Sequence, residues 1–243
     1  MAAQVELEIH ALKENLLDMI GLVETQLTQC RDVIRKKDVD LAEEIIAAEK
    51  KIDAQELAID KDCENIIALH NPMATDLRFV LATIKISNDL ERIADNATSF
   101  AKFLRKHVKS VNEKLLQEFH IEKMLDVCIV MLKDMHEALR KENTKLVRKV
   151  FTKDKALNEI NKKSVKTATI LLKEYPEDHP IILRLFSIVR NLERVGDLTK
   201  NIGEEIVFHI EARVLKHQKK QQLLSLRPNY FEECNSGSNR DIK

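Results

Sequence analysis

Apolar residues recur along this chain with the period of an α-helix and rarely alternate. Leu12, Leu16, Met19, Ile20, Val23 and Leu27 follow the three- and four-residue spacing of one helical face, predicting a first helix from about Val5 to Arg35. Asp38 is placed to cap a second helix, whose stripe Leu41, Ile45, Ala48, Ile52 and Ile59 runs to His70, where Asn71-Pro72 stops it. A third is predicted from about Met73 to Lys106, its basic end of Lys102, Arg105 and Lys106 suiting the negative end of a helix dipole. Ser110-Val111-Asn112-Glu113 has the Ser-x-x-Glu form of a capping box ahead of Leu115, Leu116, Phe119 and Met124, and predicts a fourth helix reaching about Glu142. Asn143 caps a fifth carrying Leu146, Val150, Leu157, Ile160 and Val165, which ends before Pro176. Pro180 sits well in the first turn of a sixth, expected to run to about Gln218 or beyond, and Leu226 to Lys243 reads as a frayed tail.

Composition reinforces the pattern. Only 4 Gly and 4 Pro interrupt 243 residues, which favours a few very long helices and an all-α fold. Six such helices on short links fold up and down into two tandem three-helix bundles, end to end or side by side. The expected divisions are 1–109, 110–222 and a tail over 223–243. Lys+Arg and Asp+Glu balance at 40 each, which removes the electrostatic footprint of a nucleic-acid binder. No stretch approaches the roughly 20 apolar residues of a membrane span, and the Met1 end has no leader-like pattern, so a cytoplasmic protein is expected. Cys30, Cys63, Cys128 and Cys234 are scattered without a Cys-x-x-Cys, and thiols in a reducing compartment are the expectation.

One string changes this picture of a plain helical scaffold. Leu90-Glu91-Arg92-Ile93-Ala94-Asp95 returns 102 residues later as Leu192-Glu193-Arg194-Val195-Gly196-Asp197, so the chain is an internal duplication. In both copies the acids are four apart, which stacks them on one helical face with Cβ atoms about 5–6 Å apart, close enough to share a cation. On a helical wheel Glu91 and Asp95 continue the line of Leu77, Leu81 and Ile84, and Glu193 and Asp197 that of Leu183 and Phe186, which predicts acids interrupting a partly buried face. A second match, at an offset of 105, sets Glu49 and Asp53 of helix two against Asp154 and Asn158 of helix five. Antiparallel packing can bring each of these pairs beside the duplicated acids. Four carboxylates gathered without a cation repel one another, and a metal relieves that. Pairing with Arg92, Arg194 or Lys155 is the other reading of the same acids.

Other chemistries find no support. None of the eight histidines follows a Glu by three residues, which removes the ferritin-like di-iron motif. There is no His-Glu-x-x-His and no Gly-rich phosphate loop, and no nucleophile-plus-base constellation stands out. His10, His107 and His217 read as surface residues, and His120 and His136 as helix-face residues.

With Pro72-Met73-Ala74-Thr75-Asp76-Leu77-Arg78 opening helix three, the two acid strings and Asn201-Ile202, the chain resembles the PhoU family of phosphate-signalling proteins over nearly its whole length. The resemblance implies two tandem three-helix bundles and multinuclear iron or zinc clusters, with manganese or magnesium as further candidates. The ligands it implies are Glu49, Asp53, Glu91 and Asp95 in one half, and Asp154, Glu193 and Asp197 in the other. Ala94 stands where the family has Gly, Leu198 where it often has His, and Asn158 replaces an acid, which weakens the expected second site. The family represses phosphate uptake and phosphate-starvation signalling. That implies a homodimeric, non-enzymatic adaptor between the ATPase subunit of a phosphate ABC transporter and a phosphate sensor histidine kinase, peripheral to the membrane through those partners. A carboxylate-cluster metal store or metal-dependent enzyme, and a PhoU-like accessory protein of another phosphate transporter, are the alternatives.

Overall fold

The computed structural model describes residues 2–213, with side chains from 4 onward. The helices are α1 (Ala2–Lys36), α2 (Val39–His70), α3 (Thr75–His107), the short α4 (Glu113–Glu118), α5 (Ile121–Arg140), α6 (Thr144–Glu174) and α7 (His179–Glu211), with a 3-10 turn at Pro176–Asp178. The described residues contain no strand. Expected caps at Asp38 and Asn143 form, each side chain accepting a backbone N–H of the first turn, and Asn71 ends α2 in the left-handed region.

Helices α1, α2 and α3 make one bundle and α5, α6 and α7 the other. They lie side by side, α3 against α7 and α1 against α5. Across α1 and α5 the join is pinned by Arg31–Asp126 and Arg35–Glu122 ion pairs, and just past the end of α5 by Lys13–Glu142. Across α3 and α7 it is pinned by Lys85 on the buried Glu205, and by Arg78, whose Nε donates to the His209 carbonyl near the end of α7. One continuous core of Leu, Ile, Val, Met and Phe therefore runs through both halves, each fully buried Leu or Ile contributing roughly 1.5–3 kcal/mol. Because the inner faces are α1, α3, α5 and α7, helices α2 and α6 are outermost, and the grooves they form with α3 and α7 are open to solvent.

Three expectations are corrected. The fourth helix is not continuous: it breaks at Phe119-His120, where His120 adopts φ 54°. The apolar stripe Leu115, Leu116 and Phe119 would continue at 122, 123 and 126, yet the buried residues are Ile121, Met124, Leu125 and Cys128. A left-handed residue absorbs that slip of phase. Asn112, not Ser110, caps α4, and the Ser110 hydroxyl instead donates to the His107 carbonyl. The last helix ends at Glu211 with Ala212 left-handed, short of Gln218; Cys234, His217 and the expected tail lie outside the described residues. Cys30, Cys63 and Cys128 are buried free thiols whose burial pushes each up to about 12, so none is a ready nucleophile.

Candidate metal centre

In the outer groove of the first half, α2 presents Glu49, Asp53, Glu56 and Asp60, residues four, three and four apart and hence on one face. Opposite them α3 presents Asn88, Glu91 and Asp95. The face is partly buried, as predicted: Leu77, Ile84, Glu91, Phe186 and Glu193 are half-buried, while Leu81 is 40% exposed and, on α7, Leu183 is 55% exposed. Glu91 is raised from its ordinary carboxylate value by burial first, then by the like charges of Asp95, Glu56 and Asp53. Glu56 is raised by burial, then by Asp60, against a hydrogen bond from Asn88. Asp60 is raised by burial and by Glu64, and its Oδ1 is buried without a hydrogen-bond partner. Glu49 stands a turn apart, paired with Lys102 at 3.6 Å. Arg92, for which an ion pair with the duplicated acids was an open reading, turns instead to Asp89 at 3.2 Å.

The acids that act on one another in this half are thus Asp53, Glu56, Glu91 and Asp95, while Glu49 is paired with Lys102. Glu56 was missed from the sequence, although it follows Asp53 by one helical turn. Among the described residues no three carboxylate, imidazole or thiolate groups form a ready-made cage. The donors are all oxygen and their like charges act on one another, with Arg92 offsetting part of this at Glu91, which fits a hard divalent cation in kind.

The second half is built from the equivalent positions and differs. Asp154 is completely buried, and its Oδ2 accepts from Asn158 Nδ2 at 2.8 Å and from Lys200 Nζ at 3.0 Å. Lys200 also reaches Asp197 Oδ1 at 2.5 Å. Glu193 is raised by burial and by Asp197, while Asn161 stabilises its charged form by donating to it. For Lys200 burial favours the neutral amine, but the hydrogen bonds to Asp197 and Asp154 outweigh it and the net shift is upward. Asn158 and Asn161 stand 105 residues beyond Asp53 and Glu56, and Lys200 stands 102 beyond Thr98. The residues of this half do not fit a metal, because an ammonium already occupies the space between its acids. Gly196 has its own reason: a Cβ there would lie 2.4 Å from Leu157 Cδ1, so α6 approaches α7 more closely than Ala94 would allow.

The tandem bundles agree with the comparisons. Residues 16–104 and 121–206 each match the PhoU domain. The phosphate-specific transport system accessory protein PhoU of Edwardsiella tarda is 30% identical over 227 residues, covering 89% of this chain and 88% of the relative. That of Escherichia coli strain K12 is 27% identical, covering 89% of each. Among solved structures, PhoU from Pseudomonas aeruginosa superposes with a TM-score of 0.79 at 25% identity over 86% of this chain and 99% of that one. The phosphate transport system regulatory protein PhoU from Streptococcus pneumoniae gives 0.76 at 27% identity, over 87% of this chain and 99% of its own. The chain belongs to the PhoU family. It is a family of accessory and regulatory proteins, not of enzymes.

Proposed function

We propose that this chain is a negative regulator of phosphate uptake and of phosphate-starvation signalling, acting as a non-enzymatic adaptor. Its partners in this reading are the cytoplasmic ATPase subunit of a phosphate ABC transporter and a phosphate-responsive sensor histidine kinase. It is a cytoplasmic homodimer that reaches the membrane only through them. The observation that carries the reading is the pair of family matches spanning both halves of a chain that is similar, over 89% of its length, to phosphate-transport accessory proteins. No described helix is long and apolar enough to cross a membrane, so contact with membrane partners is borrowed.

In the same reading the α2–α3 groove holds one or more cations, with iron or zinc as the metals and manganese or magnesium as further candidates. Asp53, Glu56, Glu91 and Asp95 would hold the ions, with Glu49 joining if Lys102 releases it. A bound metal supplies positive charge to an otherwise repulsive face, and such a change alters which surfaces dock there and how fast. The test is affinity capture from cells grown in high and in low phosphate, alongside phosphate-starvation gene expression in a deletion strain. Transporter and kinase should come down with the protein, and deletion should derepress the genes in high phosphate. Recovery of neither partner together with normal expression would overturn the adaptor reading.

A further inference from the structure

We propose that Lys200 is a built-in counter-ion that takes the place of metal in the second half, leaving this chain with one metal-binding face, the α2–α3 groove. The one-sidedness rests on the reading that the first-half groove binds cations. The role of Lys200 stands on its own geometry.

Three observations converge on it. Lys200 Nζ bridges Asp154 at 3.0 Å and Asp197 at 2.5 Å, joining the acids of α6 and α7 that a shared cation would join. Asp154 is fully buried and keeps one oxygen, Oδ1, without a hydrogen-bond partner, so its second oxygen carries the whole contact with Lys200 and Asn158. A buried carboxylate in that state needs a positive charge beside it, and Lys200 is the one supplied. The other equivalent positions point the same way. Where α2 and α3 have Asp53, Glu56 and Thr98, α6 and α7 have Asn158, Asn161 and Lys200, so at these three positions the second half has two fewer negative charges and one more positive charge. Asn158 directs its amide at Asp154 and Asn161 directs its own at Glu193, donors that complete an ammonium–carboxylate network. An ammonium held by two carboxylates can be displaced by a divalent cation only if it moves out of a groove where its side chain is 19% exposed.

The test uses the full chain, stripped of metal and titrated with Mn²⁺ or Zn²⁺, read by calorimetry and by metal content after desalting. In the wild type, Glu193→Gln/Asp197→Asn should leave the metal content unchanged, whereas Glu91→Gln/Asp95→Asn should abolish it. Lys200→Thr, which installs the first-half residue, should gain a second set of ions that Asp197→Asn removes again. A fall in wild-type metal content on Glu193→Gln/Asp197→Asn would overturn the proposal, and this arm needs no Lys200 variant to fold. A folded Lys200→Thr protein, by circular dichroism, that gains no metal would overturn it as well. If wild type binds nothing while Lys200→Thr binds, the counter-ion role holds and the first-half reading is what fails.

Discussion

The α2–α3 groove has carboxylates at Glu49, Asp53, Glu56, Glu91 and Asp95, where the α6–α7 groove has Asp154, Asn158, Asn161, Glu193 and Asp197. Both derive from one duplicated unit. In the first, a lysine touches only the outermost acid, Glu49, at 3.6 Å, and the rest face one another. In the second, Lys200 reaches into the middle of the cluster and two carboxamides replace acids. A like-charged cluster can be quieted by an external cation or by an internal one, and under the proposed reading the duplicated halves of this chain use one each. The internal solution fixes a face permanently. The external one makes its charge depend on supply.

The largest expected break in this contrast is Lys200→Met. It leaves Asp154 buried and uncompensated, and should cost roughly 3 kcal/mol in denaturant unfolding. Lys102→Met, which removes a half-exposed lysine from Glu49, should cost less than about 1 kcal/mol. Equal costs would mean that the two lysines serve the same purpose and that the grooves do not differ.

Packing sharpens the comparison next. Gly196→Ala drives a methyl into Leu157 Cδ1 and should lose about 1–3 kcal/mol. The reciprocal Ala94→Gly, in a helix that already accommodates a Cβ, should lose about 1 kcal/mol through backbone freedom. If Gly196→Ala unfolds at the wild-type midpoint, α6 and α7 are not held at that close approach.

His209, near the end of α7, gives the second half a pH dependence of its own. His209 is buried edge-on against Phe79 with its Nδ1 unpartnered, and its pKa is lowered chiefly by burial, with Lys13 and Arg78 adding to the effect and Glu142 opposing it. A folded pKa below the ordinary 6.5 means that stability is fully present above that value and is lost as pH falls from 6.5 through the folded pKa. Thermal melts between pH 7.5 and about 5 should show this loss in wild type, and His209→Leu should flatten it. A slope unchanged by His209→Leu would assign the acid sensitivity elsewhere.

Smallest is the expected gain in the metal-free chain from Glu91→Gln, which removes one like charge from a solvent-screened cluster and should stabilise by a few tenths of a kcal/mol. Saturating metal should reverse the sign, the variant then being the less stable. A variant that stays the more stable with metal present would remove Glu91 from the ligand set.

What local chemistry decides was readable in advance. Long helices follow from the three- and four-residue spacing of apolar residues and the scarcity of Gly and Pro, caps at Asp38 and Asn143 from side chains that accept a nearby N–H, and the paired acids from a repeat that any helix places on one face. Glu56 and Lys200 could have been found the same way, each three residues from an acid already in view, had the repeat been followed position by position to its unequal members. The break at His120 was visible as a slip in apolar phase, but local spacing could not say whether a left-handed residue or a loop would absorb it. What only the tertiary structure decided depends on partners far along the chain. Glu49 meets Lys102 on α3, the bundles lie side by side rather than end to end, and Lys200 lies on Asp154, 46 residues away. Periodicity tells each helix which face to bury. The neighbour's register, set by the whole core at once, tells a charge whether it meets its opposite or its like.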